Sequence, residues 1–215
     1  MTSFAHLGVR IACVAVAIVL WFWTQRLVSA KAPVTQGVGD RLHDWSAPLH
    51  AWFVASPRAT NLTLILTSVF IDLFGLYLFA SSIFGPTLQP LIAILVLFSM
   101  RQTCQAICTL PVPPGAIWHH PGFPSLFVTY GTSNDFFFSG HTAISVLGAI
   151  QLAHQAPPWL AALGATIAVV EAVAVIILRA HYTMDVFAAP FAAWAADEAA
   201  RRLAPHLDVW LGRVG

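Results

Sequence analysis

Residues 62–84 read LTLILTSVFIDLFGLYLFASSIF, an apolar run interrupted by one charge, Asp72. A helix needs about 20 mostly apolar residues to cross a bilayer. This run supplies them, and Gly85-Pro86 stops it. Working outward, the same reading recurs at Leu7–Val28, Leu88–Leu110, Thr142–Ala156, Trp159–Leu178 and Met184–Leu203. The Thr142–Ala156 run is short, though Phe136-Phe137-Phe138 ahead of it suits an interface. The expectation is an all-α, polytopic membrane protein: a six-transmembrane-helix bundle forming a single membrane domain over residues 1–215. Tight turns fall at Gly85-Pro86 and Pro157-Pro158; longer connections cover 29–61 and 111–140.

Composition agrees. The chain is 58% hydrophobic and 9% charged, with a mean hydropathy of +0.76. A soluble domain carries about a quarter charged residues, so much of this surface must face lipid. The formal net charge of +1 and the lack of any basic run exclude a nucleic-acid partner. The first run carries Arg10 ahead of its apolar stretch, as a signal peptide would, but no clean small-residue cleavage site follows. It ends in Trp21-Phe22-Trp23, an interfacial belt, and reads as a retained helix. Cys13, Cys104 and Cys108 are too few and too apolar in setting for a disulfide framework or a zinc site. Ala188, Ala192, Ala196 and Ala200 form a small-residue stripe for close helix packing. Orientation is a tie. With both termini on one side, that side holds Arg10, Arg201, Arg202 and Arg213, and the other Arg26, Lys31, Arg41 and Arg58.

Two short stretches carry the chemistry: Ser139-Gly140-His141-Thr142 and His181-Tyr182-Thr183-Met184-Asp185. Six alternating spans bring both to one membrane face, together with Arg101 near the end of the third. Phosphate-ester transfer needs a nucleophile, a proton donor for the leaving oxygen, and positive charge around the phosphoryl oxygens. Histidine fills either of the first two roles near neutral pH. His181 and Asp185 are four apart, so a helix would stack them and let the carboxylate hold one ring nitrogen. Ser139 and Gly140 open a helix whose free N–H groups attract an anion. Arg101 is costly in an apolar span without an anionic partner. Arg179 is either a second phosphate ligand or an interfacial anchor.

Other residues are weaker candidates. Asp135 can attract an ammonium headgroup, pair with a histidine, or be a plain loop carboxylate; Tyr182 is the other headgroup candidate. Asp72 and Glu171 lie inside spans and read as buried structural hydrogen-bond partners. Trp118, Phe123, Phe127 and Tyr130 form either a cage for a quaternary ammonium or an interfacial belt. His119-His120 lack the further ligands of a metal site, so no metal and no cofactor is implied.

These residues resemble the sphingomyelin synthase branch of the type 2 phosphatidic acid phosphatase (PAP2) superfamily. Asp135 to Thr142 is similar to its first histidine motif, and His181 to Val186 to its second. Arg101 with Leu110-Pro111-Val112-Pro113 is similar to its arginine motif. Ser133-Asn134 and Ala188-Ala189-Pro190 depart from it. The resemblance implies a metal-independent, two-step transfer: His181, oriented by Asp185, attacks a phospholipid, and His141 protonates the departing diacylglycerol. A ceramide-like or other lipid alcohol then takes the headgroup from His181. The partners implied are a phospholipid donor, a lipid alcohol acceptor and the bilayer; no oligomeric state is implied. High alanine content and the lack of long tails suggest a bacterial inner membrane, and the resemblance puts the site on its outer, periplasmic face. The alternatives are a lipid phosphatase or phospholipase C using water at the same residues, and a non-catalytic lipid-binding or transport bundle.

Overall fold

The computed structural model describes residues 4–30, 38–130 and 136–214. Among them every regular element is a helix: α1 (Phe4–Ser29), α2 (Arg41–Trp45), α3 (Ala47–Ala55), α4 (Pro57–Phe84), α5 (Gln89–Ile107), α6 (Gly140–Gln155), α7 (Pro158–Ile177) and α8 (Thr183–Val214). Helix α6 is the hub, packing against α4, α5, α7 and α8, while α1 leans on α4 and α5. The core is built of long aliphatics from α4, α5 and α6 against a strip of α8. Ala189, Ala193, Ala196 and Ala200 on that strip are fully buried, letting the backbones approach closely.

The all-helical expectation holds, but the count of six spans is not confirmed. Among the described residues four helices are long and apolar enough to cross a membrane: Phe4–Leu27, Pro57–Phe84, Gln89–Ile107 and Pro158–Ile177. Helix α6 has 16 residues, about 24 Å at 1.5 Å each, short of a hydrocarbon core of about 30 Å. It is surrounded by other helices, so its sequence does not have to satisfy lipid. Helix α8 runs well past the expected Leu203, and Asp197, Glu198, Arg201 and Arg202 lower its hydropathy.

The connection over 29–61 also differs from the sequence reading: it contains α2 and α3. Asp40 caps α2, its Oδ1 accepting the N–H groups of Leu42 at 3.0 Å and His43 at 3.3 Å. The connection after α5 is irregular but pinned. Asp72 of α4 accepts the N–H groups of Leu126 and Phe127 at 2.9 and 3.0 Å, the hydrogen-bonding role expected of it, though from a half-buried position. Glu171, expected to do likewise, has no such partner among the described residues. Earlier in the connection, the Ile117 N–H donates to the Leu178 carbonyl at 2.8 Å. These ties lay the loop across one end of the bundle, above the start of α6.

Candidate active site

Three helix ends meet under that loop: the C-terminus of α7 and the N-termini of α6 and α8. Ser139 caps α6, its hydroxyl accepting the Thr142 N–H at 3.3 Å, and its own N–H donates to the Asp185 carbonyl at 3.0 Å. That bond joins the two histidine motifs across 46 residues of chain. A cavity of about 50 Å³ opens beside it, lined by Arg101, Gly140, His141 and His181 with Gln25, Trp118 and Phe136. By that measure it holds roughly three or four waters, the scale of a phosphoryl group. Lipid-sized space adjoins it instead.

His181 lies in the turn before α8 and is 6% exposed. Its Nδ1–H donates to the Phe136 carbonyl at 2.9 Å, while Asp185 Oδ2 stands at 3.5 Å from the same nitrogen. The carboxylate accepts the Tyr182 N–H at 2.9 Å. Asp185 Oδ1 has no hydrogen-bond partner among the described residues, although the residue is fully buried. So the ring is held chiefly by a carbonyl, with the carboxylate close behind it, and Nε2 is left for chemistry.

Arg101 is nearly buried, and its Nε–H donates to the Phe138 carbonyl at 2.8 Å. A Cβ on Gly140 would touch its guanidinium carbon at 3.4 Å, so the cation rests directly on the α6 N-terminus. Charge and helix dipole act together there. His141 in the first turn of α6 meets Trp118 edge-on at 5.0 Å, and Trp118 meets Tyr130 at 5.0 Å.

Two expected ligands face elsewhere. The Arg179 guanidinium donates to the Pro114 carbonyl at 2.9 Å and the His43 carbonyl at 3.5 Å, from a backbone with φ of 53°. Tyr182 is buried against His43 and lines a different cavity, with Asp40, Leu110 and Phe187. Asp135 lies outside the described residues. His119 bonds Asn61 at 2.9 Å, and His120 accepts the Gly122 N–H at 3.1 Å. Among the described residues no three His, Cys, Asp or Glu side chains gather as a metal would need.

Three positioning residues escape a reading of the sequence. His43 Nε2–H donates to the His181 carbonyl at 2.9 Å and His50 Nδ1–H to the Ile177 carbonyl at 2.8 Å. Asp40 caps α8 as well as α2, accepting the Thr183 N–H and hydroxyl at 2.5 and 2.6 Å. Burial pushes the Asp40 carboxyl up. The Thr183 and His43 hydrogen bonds and the His43 charge outweigh that and hold it below its ordinary value. The one available signal was Asp40-Arg41-Leu42-His43 itself, an Asp in N-cap position before a histidine.

No curated protein and no solved structure matches the chain. The AtPDCT1/2 family model does, over residues 42–202 of the 215. This overturns the likeness to the PAP2 superfamily and its sphingomyelin synthase branch. The ceramide acceptor and the periplasmic face were drawn from that likeness and lose their ground with it. With a match over most of its length, including both histidine motifs and Arg101, the chain belongs to the AtPDCT1/2 family, the phosphatidylcholine:diacylglycerol cholinephosphotransferases, and is a membrane lipid phosphotransferase.

Proposed function

We propose that this protein moves phosphocholine from phosphatidylcholine to diacylglycerol through a phosphohistidine at His181. The observation that carries the reading is the convergence of His141, His181 and Arg101 on one phosphoryl-sized cavity at the α6 N-terminus. With Nδ1–H given to Phe136, the Nε2 lone pair of His181 attacks phosphorus. The phosphorus–oxygen bond to the glycerol breaks, and protonated His141 gives its proton to the leaving oxygen. Diacylglycerol departs. A second diacylglycerol then gives its hydroxyl proton to neutral His141 and attacks phosphorus, and the phosphorus–nitrogen bond breaks. Arg101 and the N–H groups at Gly140 balance the phosphoryl charge throughout. Ser139 builds that N-terminus, and Asp185, Tyr182 and Arg179 hold the turn that aims His181. The helices α1 and α4–α8 together form the membrane body, with α6 shielded from lipid.

The faces of Trp118 and Tyr130, next to His141, suit a quaternary ammonium. Glu171 lies behind them, an acid that a bound cation can ionise. It is fully buried, and neither carboxylate oxygen has a hydrogen-bond partner among the described residues. Its neighbours one turn away on α7 are Ile167, which borders the same buried cluster as Tyr130, and Val175, a member of the cluster that Trp118 borders. A quaternary ammonium has no N–H to offer, so a carboxylate acting through its field alone fits it.

The test uses the purified protein in liposomes with choline-labelled phosphatidylcholine and a diacylglycerol of different chain length. Label should appear in a new phosphatidylcholine bearing the added chains, and His181→Ala should abolish it. Label released only as free phosphocholine would overturn the transferase reading in favour of a hydrolase.

A further inference from the structure

An apolar groove of about 380 Å³ runs between α1, α4 and α5, walled by residues such as Leu20, Leu78, Phe79 and Ile94. It is far larger than the histidine cavity and shares four of its walls: Trp21, Phe98, Phe127 and Ile144. The three rings among these form a collar, with Trp21 lying 5.4 Å from Phe98 and 5.8 Å from Phe127. In the other direction the groove shares Ala17 and Leu95 with a further apolar crevice of about 480 Å³, which continues along α1 and α5 to the end of α8. The three spaces form one track, polar at the histidines and apolar for the rest of the bundle's length. It is open to the side, where Leu20, Leu95 and Ser99 are exposed.

The collar carries a polar step. Gln25 lines the histidine cavity and Gln102 the groove. Gln102 Nε2–H donates to Gln25 Oε1 at 2.7 Å, and Gln25 Nε2–H to the Thr129 hydroxyl at 3.4 Å. Gln102 Oε1 is buried and has no hydrogen-bond partner among the described residues. A buried acceptor left open at the boundary between a phosphoryl cavity and an apolar track asks for a donor there. The free hydroxyl of an arriving diacylglycerol is such a donor before it turns to His141.

We infer that the α1/α4/α5 groove binds an acyl chain of the diacylglyceryl group common to donor and acceptor, with Gln102 at the level of its glycerol. The inference rests on the lipid transfer proposed above. It gives the exchange a simple geometry: the departing diacylglycerol and its replacement use one track, so the incoming hydroxyl arrives where the leaving oxygen was.

Ser99→Trp fills the groove from an exposed position, which spares the core. It should lower kcat/KM about tenfold for a dioleoyl phosphatidylcholine donor while changing that for a dihexanoyl donor less than about twofold. Equal loss for both donors, or no loss for either, overturns the inference. A second readout needs no turnover. In His181→Ala, a phosphatidylcholine with a mid-chain diazirine should label α1 and α5 around Leu20 and Leu95 saturably, and Ser99→Trp should suppress the labelling. Labelling that unlabelled phosphatidylcholine does not compete away removes the groove even if transfer is observed. Saturable labelling sensitive to Ser99→Trp in a wild type that transfers nothing keeps the groove and removes the transferase reading.

Discussion

The Ser139 N–H donates to the Asp185 carbonyl at 3.0 Å, so the cap of α6 and the first turn of α8 are one hydrogen-bonded unit. Each of the two helices brings a histidine, in its first turn or just before it, and neither can shift without the other. The distance between His141 and His181 is therefore set by backbone, which is what a transfer through both rings requires.

His181→Ala and His141→Ala should each abolish transfer while leaving thermal unfolding in detergent nearly unchanged, because both side chains lie at the end of the bundle. Asp185→Asn should behave differently. The Phe136 carbonyl already fixes the proton on Nδ1, and the carboxylate stands 3.5 Å away. We expect a loss of about 10- to 100-fold, the usual effect of an outer partner on an imidazole. Steady-state kcat in liposomes checks this; complete inactivity of Asp185→Asn in a folded protein would assign the carboxylate a larger part.

Asp40 links α2 to α8 through Thr183, and its substitution by Ala removes two helix caps at once. A stability loss of about 2 kcal/mol is expected, with a further fall in kcat as the His181 turn loosens. The pH dependence has a definite sign. The folded-state value lies below the ordinary 3.8, so the contribution is complete above that value and is lost as pH falls through the lower folded value. Thermal scans of wild type between pH 5 and 3 should show the decline, and Asp40→Asn should flatten it.

The long apolar helices were legible because lipid imposes composition on whatever faces it; α4 and α5 are found within a few residues of their expected bounds. The count of six spans goes unconfirmed where that pressure is absent. Helix α6 hides among its neighbours, and α8 carries charge beyond Asp197 yet continues as a helix on Ala, Leu and Arg. Helices α2 and α3 were invisible for another reason. Their role rests on His43 and His50 meeting carbonyls more than a hundred residues away, and no local pattern encodes such a pairing. The histidines and Arg101 could be read because the chemistry needs those residue types. Arg179 and Tyr182 show the limit of that reasoning, since residues next to a motif can serve its backbone rather than its cavity.

Glu171→Gln separates headgroup recognition from chemistry. The substitution keeps the shape and removes the acid that a bound ammonium ionises behind Trp118 and Tyr130. The preference for phosphatidylcholine over phosphatidylethanolamine should fall by about tenfold, chiefly in KM, since cation–aromatic and charge contributions of this kind are about 1–2 kcal/mol. Thermal stability should hold or rise, because the wild-type carboxylate is buried without a hydrogen-bond partner among the described residues. An unchanged donor preference would move the ammonium elsewhere in the cavity.

Gly148 sets how closely α6 approaches α4. A Cβ there would stand 2.1 Å from Phe74 Cδ1, inside any permissible contact. Phe74 is itself buried in one cluster with Ile71 and Ile144, where a ring is costly to displace. Gly148→Ala should therefore cost about 1–3 kcal/mol despite the better helix propensity of alanine. Gly8→Ala is the control: nothing lies within 4 Å of that site, and the same substitution should stabilise α1 by up to about 1 kcal/mol. Thermal unfolding of the two variants in the same detergent gives the comparison. If Gly148→Ala is as stable as wild type, the α4–α6 packing is looser than described. If it unfolds early but keeps its transfer rate below the transition, that packing supports the bundle without aiming His141.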